Sequence, residues 1–195
     1  MPMRMNPRKG HADRLFSWKG PEDPSTGDFS IGGDASTGLQ AMIWHGSSVV
    51  WRSTAWSGNT VLSSFTWSNS NTAIIVKIAI DGDDMSLTFD VAEGSSAMNA
   101  RMSYMGKNEY NIWSSTASKW VVFYTYPDSG CDRYAACGPF GYCDGTDPAG
   151  SMCKCPDGFE PHNGTSPSGS GGCARKVPLG CGSEDQFVTM QAMKS

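Results

Sequence analysis

No run of about 18 apolar residues occurs in this 195-residue sequence, so it holds no segment that would span a bilayer as a helix. Charge is scarce as well. Only 17% of residues are charged and the net charge is −4, which removes any general affinity for nucleic acid or for an anionic membrane. Catalytic signatures are missing: there is no Gly-x-Ser-x-Gly, no His-Glu-x-x-His, no phosphate loop, and no kinase Gly-rich or His-Arg-Asp motif. His11, His45 and His162 lie far apart, and none neighbours a Ser or Cys suited to act as a nucleophile. The chain is therefore read as a non-enzyme with no cofactor. Its first residues, Met1-Pro-Met-Arg-Met-Asn-Pro-Arg-Lys-Gly-His11, lack the apolar core of a secretory signal, and their prolines and glycine spoil an amphipathic transit helix.

Cysteine is present, and it is concentrated. Six of the seven cysteines fall between Cys131 and Cys173, at Cys131, Cys137, Cys143, Cys153, Cys155 and Cys173. A segment so short and so rich in Gly and Pro has few aliphatic residues for a core, and such segments are held by cross-links. Spacing alone leaves fifteen pairings open. Cys153 and Cys155 sit too close in sequence to pair comfortably with each other, so each reaches elsewhere. Pro156-Asp157-Gly158 supplies a turn. The competing reading is a zinc site with His162 as an extra ligand. It lacks the paired Cys-x2-4-Cys knuckles that such sites use, and disulfides are favoured. Cys181 is the odd cysteine and implies a partner elsewhere.

The remainder reads as strands. With 38% hydrophobic and 11% aromatic residues, seven tryptophans among them, the chain can bury a core of β type. Residues 15–30 suggest a strand, a turn and a strand. Ala41–His45 and Val49–Arg52 flank Gly46-Ser-Ser48 as a hairpin. Ile74, Val76, Ile78 and Ile80 share one face, Asp81–Asp84 turns the chain, and Leu87, Phe89 and Val91 alternate on the return. The Asp cluster is not an EF-hand, because Ala92 stands at the twelfth position where a Glu is needed. It is read as a solvated hairpin tip. Met98–Met105, Glu109–Trp113 and Lys119–Tyr126 add strands, and the absence of a convincing helix indicates an antiparallel sandwich or barrel-like sheet. Strand aromatics are expected in the core.

Two resemblances overlie this reading. Cys-x5-Cys-x5-Cys-x9-Cys-x-Cys-x2-Gly-Phe with a sixth cysteine resembles an EGF-like module. That resemblance implies Cys131–Cys143, Cys137–Cys153 and Cys155–Cys173 bridges, each closing about 13 to 19 residues and contributing roughly 3 kcal/mol. Only one acidic residue, in Pro127-Asp-Ser-Gly130, precedes the first cysteine, so no calcium is expected. Ser17-Trp-Lys-x3-Asp23-Pro-Ser-x-Gly27-x-Phe29-Ser30, Ile43-Trp44-x-Gly46, Trp51-Arg-Ser-x2-Trp56-x-Gly58, Val121-Val-Phe-Tyr124 and Gly172-Cys173-x-Arg175-Lys-x-Pro178-Leu-x-Cys181 resemble the S-locus glycoprotein domain. In order, they look like part of the ectodomain of a plant G-type lectin S-receptor-like serine/threonine kinase, over about residues 13–193.

The resemblance implies a mostly β chain: residues 1–13 as the end of a bulb-type lectin region, 14–127 as an antiparallel S-locus glycoprotein domain, 128–173 as a small disulfide-rich EGF-like module, and 174–195, from Asp185-x-Phe187 onward, as the opening of a PAN domain. It also implies a fragment or truncated copy of a longer secreted or membrane-anchored receptor, whose kinase lies elsewhere. The implied role is ligand perception on the extracellular side, of the kind used in pollen recognition. A protein or peptide ligand and receptor self-association are the expected partners, with no nucleic acid and no direct membrane insertion. The alternatives are a structural spacer or a non-functional copy. His45 stands where family members often carry a glycosylated Asn, which leaves Asn163-Gly164-Thr165 as the sequon, in a polar loop. Trp44, Trp51 and Trp56 are candidate contact residues, although core positions suit them better, and no ligand-binding residue is assigned.

Overall fold

Two-residue turns with a glycine first set two hairpins of this chain. Gly46 and Gly82 adopt φ of 59° and 60°, the left-handed region that glycine enters without a Cβ clash and that tight hairpin turns require. Among the residues it describes, a computed structural model of the chain shows fifteen strands. It describes residues 3–34, 36, 40–53, 74–145, 152–162, 171–180, 182 and 189. The strands are β1 Met3–Asn6, β2 His11–Ala12, β3 Arg14–Trp18, β4 Thr26–Gly33, β5 Ala41–His45, β6 Ser48–Arg52, β7 Ile74–Asp81 and β8 Asp84–Val91. They continue with β9 Met98–Met102, β10 Asn108–Ser114, β11 Lys119–Tyr126, β12 Tyr142–Cys143, β13 Cys153–Lys154, β14 Phe159–Pro161 and β15 Cys173–Arg175. Among the described residues there is no α-helix, and no helix long and apolar enough to cross a membrane. The chain is mostly β and antiparallel throughout.

Two compact units divide it, Met1–Pro127 and Asp128–Ser195. The first contains three sheets in the orders β3-β4-β5-β6, β2-β1-β8-β7 and β11-β10-β9. The register of the first sheet sets Leu15, Ile31, Ile43 and Trp51 side by side in one row across its four strands. Alternation sends that row to one face, where Ile31, Ile43, Trp51 and Met102 form the buried core, with Leu15, Phe29 and Tyr126 packed against it. Ile43 is fully buried, a burial that stabilises by about 1.5–3 kcal/mol.

Aromatic rings link the sheets of this unit. Trp51 lies 5.0 Å from Tyr126, Tyr126 lies 5.8 Å from Tyr110, and Tyr110 lies 5.8 Å from Phe89. These separations suit tilted and edge-on aromatic packing. One ring in the series comes from β6, two come from β10 and β11, and one comes from β8, so each sheet donates to it.

Two features depart from the sequence reading. Residues 3–12, from which no strand was expected, supply β1 and β2, and β1 inserts beside β8 with Met3 opposite Leu87. The Asp81–Asp84 turn is exposed, as a solvated tip should be, but it is also tied down. Asn6 Nδ2 donates to Asp84 at 2.6 Å, and Arg8 pairs with Asp83 at 3.0 Å. Of the apolar row on β7, the side chains of Ile74, Val76 and Ile78 lie outside the described residues, and Ile80 is exposed at the end of an edge strand.

The second unit has two short antiparallel ladders, β12–β13 and β14–β15. Asp132 accepts from the N–H groups of Asp128 and Ser129 at its start, fixing a single 3-10 turn. Pro156-Asp157-Gly158-Phe159 forms a closed turn, with Phe159 N–H donating to the Pro156 carbonyl at 3.0 Å and Gly158 at φ 81°.

Candidate recognition surface and cysteine framework

The cysteines take the place of an aliphatic core in the second unit. Cys131 is bonded to Cys143, Cys137 to Cys153 and Cys155 to Cys173, with Cα separations of 5.4, 5.3 and 5.8 Å. Cys137, Cys153 and Cys173 are buried. The bonds pin the backbone of β12, β13 and β15, which are too short to stand as isolated ladders in water. Among the described residues no group of three or more His, Cys, Asp or Glu side chains is arranged to hold a metal ion. Cys181, Asn163, Trp56 and residues 185–187 lie outside the described residues.

Tryptophans separate into two environments. Trp44 and Trp51 are buried. The Arg14 guanidinium lies 3.8 Å above the Trp44 ring, a cation–π contact that covers it from one side. These two belong to the packing and are removed from the candidates for ligand contact. The expectation that strand aromatics fill the core fails elsewhere. Phe16 and Trp18 on β3, and Trp113 and Trp120 on β10 and β11, are exposed. On β3, Phe16 and Trp18 alternate with the less exposed Leu15 and Ser17, so they fall on the face away from the core, and Trp113 and Trp120 flank the β10–β11 turn at the end of their ladder.

Trp113 and Trp120 stand directly opposite one another in the β10–β11 register. Their rings meet edge to face at 5.6 Å, and they remain 37% and 45% exposed. The turn between them is fixed by the Ser114 hydroxyl, which accepts from Ala117 N–H at 3.2 Å. Val122, two residues along β11 from Trp120 and on the same face, is exposed as well. At the β9–β10 turn the Ser103 hydroxyl accepts from Met105 N–H at 3.2 Å, and Tyr104 and Met105 project outward. Large exposed aromatics on a fixed backbone are the residue types that anchor protein interfaces. Sequence reasoning misses this pair, for which the only available sign is a Trp on each side of a Ser/Thr turn.

Two ionisable groups of the first unit depart from their ordinary range. The Tyr110 hydroxyl is pushed up to about 12, first by burial and then by the nearby Tyr124, against a hydrogen bond with Asn108 that opposes the shift. Asp23 is held below its usual range by the Ser25 hydroxyl and N–H, both of which donate to it in an exposed turn.

Comparison with known proteins agrees with this architecture. The S-locus glycoprotein domain family matches residues 51–163, more than half of the chain and across the boundary between the two units. A G-type lectin S-receptor-like serine/threonine-protein kinase from Arabidopsis thaliana is 31% identical over 100% of this chain and 24% of its own length. A receptor-like serine/threonine-protein kinase from the same plant is 31% identical over 92% of this chain and 21% of its own length. An S-locus-specific glycoprotein from Brassica oleracea var. alboglabra is 32% identical over 92% of this chain, which spans 41% of that relative. The chain is thus similar to one segment of each longer relative, and it belongs to the S-locus glycoprotein domain family.

Proposed function

We propose that this chain is an extracellular recognition segment of the S-domain receptor type, binding a protein or peptide ligand through its first unit. The observation that carries this reading is the exposed Trp113–Trp120 pair at the β10–β11 turn. Two rings opposed across a hairpin lose little entropy on binding, and they offer apolar area that water covers poorly. Family membership supports the same reading, because the relatives carry the names of receptor-like kinases and S-locus glycoproteins.

In this reading residues 14–127 form the S-locus glycoprotein domain and 128–173 an EGF-like spacer with the three bonds described above. Residues 1–13 and 174–195 are the adjoining ends of lectin and PAN regions, Cys181 pairs outside the cysteine-rich unit, and Asn163 carries a glycan. Pollen recognition is the finer form of the proposal, and receptor self-association its companion. Phosphoryl transfer, which the relatives' names carry, is assigned to no residue of this chain.

The test is saturable binding of the labelled chain, made in a secretory host, to pollen-coat and leaf-surface preparations. Replacing both tryptophans (Trp113→Ser with Trp120→Ser) is expected to weaken binding at least tenfold while leaving the thermal midpoint within a few degrees. Absence of saturable binding, or binding indifferent to the double substitution, would overturn the proposal.

A further inference from the structure

Phe140 occupies a backbone conformation that a bulky side chain rarely takes, with φ of 56°. It gains little from the fold in return. The side chain is 64% exposed, and its ring contact is with Phe159 at 5.4 Å. A glycine would hold the same turn without strain. The turn is built to be rigid. Cys137 and Cys143, both disulfide-bonded, bracket it. Cys173 N–H donates to the Pro139 carbonyl at 2.7 Å. A Cβ on Gly172 would strike Pro139, and one on Gly141 would strike the Cys137 carbonyl, so the loop is packed on both sides of Phe140. Strain held by an over-determined surround, on a side chain the core does not use, marks a functional position.

The neighbours indicate which chemistry fits. Phe159 and Arg175 face each other across the β14–β15 ladder, and the Arg175 guanidinium lies 5.1 Å from the Phe159 ring centre. Stacked in this way, a guanidinium keeps its N–H fork free at the rim. Arg175 has neither an ion pair nor a hydrogen-bond acceptor among the described residues. We infer that Phe140, Phe159 and Arg175 form a docking ledge on the cysteine-rich unit for an acidic, apolar-bearing segment of a protein partner: a carboxylate on the Arg175 fork and the neighbouring apolar side chain on the Phe140 ring. Planar, two-point recognition of a carboxylate is what this geometry favours. The ledge belongs to the second unit and the tryptophan pair to the first.

The inference is tested by panning a random 12-residue peptide display library on the full, disulfide-bonded chain, then measuring a synthetic copy of the best acidic–apolar peptide by fluorescence polarisation. Peptides with Asp or Glu beside Leu, Phe or Trp are expected to be enriched. Phe140→Gly and Arg175→Gln are each expected to weaken binding at least tenfold, and the Trp113→Ser, Trp120→Ser chain is expected to bind as the unaltered protein does. Phe140→Gly relieves the backbone, so its thermal midpoint should stay the same or rise while binding is lost, an outcome that a merely structural phenylalanine would not give. The inference is overturned if enrichment lacks the acidic residue, if Phe140→Gly binds like the unaltered chain, or if Arg175→Gln has no effect. Loss of binding in the double tryptophan variant instead would move the site to the first unit.

Discussion

Tyr110 is the residue whose chemistry differs most from its ordinary behaviour. Its hydroxyl is neutral and buried, and ionising it would place a charge among Tyr124, Tyr126 and Phe89. The folded pKa, about 12, lies above the unfolded value near 10. Stability is therefore fully present below pH 10 and is lost as pH rises through about 12, because the unfolded chain gives up the proton more readily. The loss amounts to roughly 2–3 kcal/mol, since each tenfold difference in proton affinity between the two states is worth about 1.4 kcal/mol. Denaturant midpoints measured from pH 8 to 12 should fall more steeply for the unaltered chain than for Tyr110→Phe. Equal slopes would show that Tyr110 titrates as an ordinary tyrosine. At this scale the sequence reveals residue types better than roles. Asp23-Pro-Ser25 is visible as a motif, and the structure explains it as a carboxylate capping the Ser25 N–H and hydroxyl. The division of the tryptophans between core and surface is hidden. It depends on which face of each sheet packs against the core, and that is settled by tertiary packing rather than by local pattern.

Hairpins are the most legible elements. β5–β6, β7–β8 and β10–β11 fall where alternation and Gly or Ser turns place them. Their registers are less legible. The pairing shifts at Phe16/Trp18, Ile43/Trp44 and Tyr110/Asn111, and the last two shifts each insert an extra residue that turns the following side chains to the other face. A bulge is chosen by what the two strands must pack against, which a single strand's sequence does not contain. β1 and β2 escape detection for a related reason, since a four-residue and a two-residue strand have too little alternation to register. The turn geometry itself is testable. Gly46 has a left-handed backbone and nothing within reach of an added Cβ, so Gly46→Ala should cost only the conformational penalty, about 1–2 kcal/mol, and Gly46→Asn less. Chemical denaturation of the two variants would measure this, and equal losses would point to a steric cause instead.

The two units divide the chain's chemistry as well as its length. All seven cysteines follow Pro127, and all seven tryptophans precede it. The three bonds of the second unit each contribute about 3 kcal/mol by loop-closure entropy, against a fold with little aliphatic core. The first unit relies on apolar burial and has no bond to lose. Reduction with dithiothreitol should therefore unfold residues 128–195 alone. Amide exchange there should rise to unfolded rates while tryptophan emission stays native. A concerted loss of both signals would mean that the units are not independent in stability. Composition changes abruptly at Pro127-Asp-Ser-Gly130 and the first cysteine, and the first compact unit ends at Pro127.

The placement of β1 sets the order in which the first unit can assemble. Asn6 and Asp84, hydrogen-bonded at 2.6 Å, are separated by 78 residues of sequence. β1 can pair with β2 at once, but its other edge stays open until β8 has been made and folded back on β7. Long-range pairings of this kind are slow, because the entropy of closing the intervening chain is lost before any contact rewards it. Until then β1 presents one open edge to capture by another nascent chain. A chaperone that shields the open edge of β1 is expected to raise the yield of folded protein.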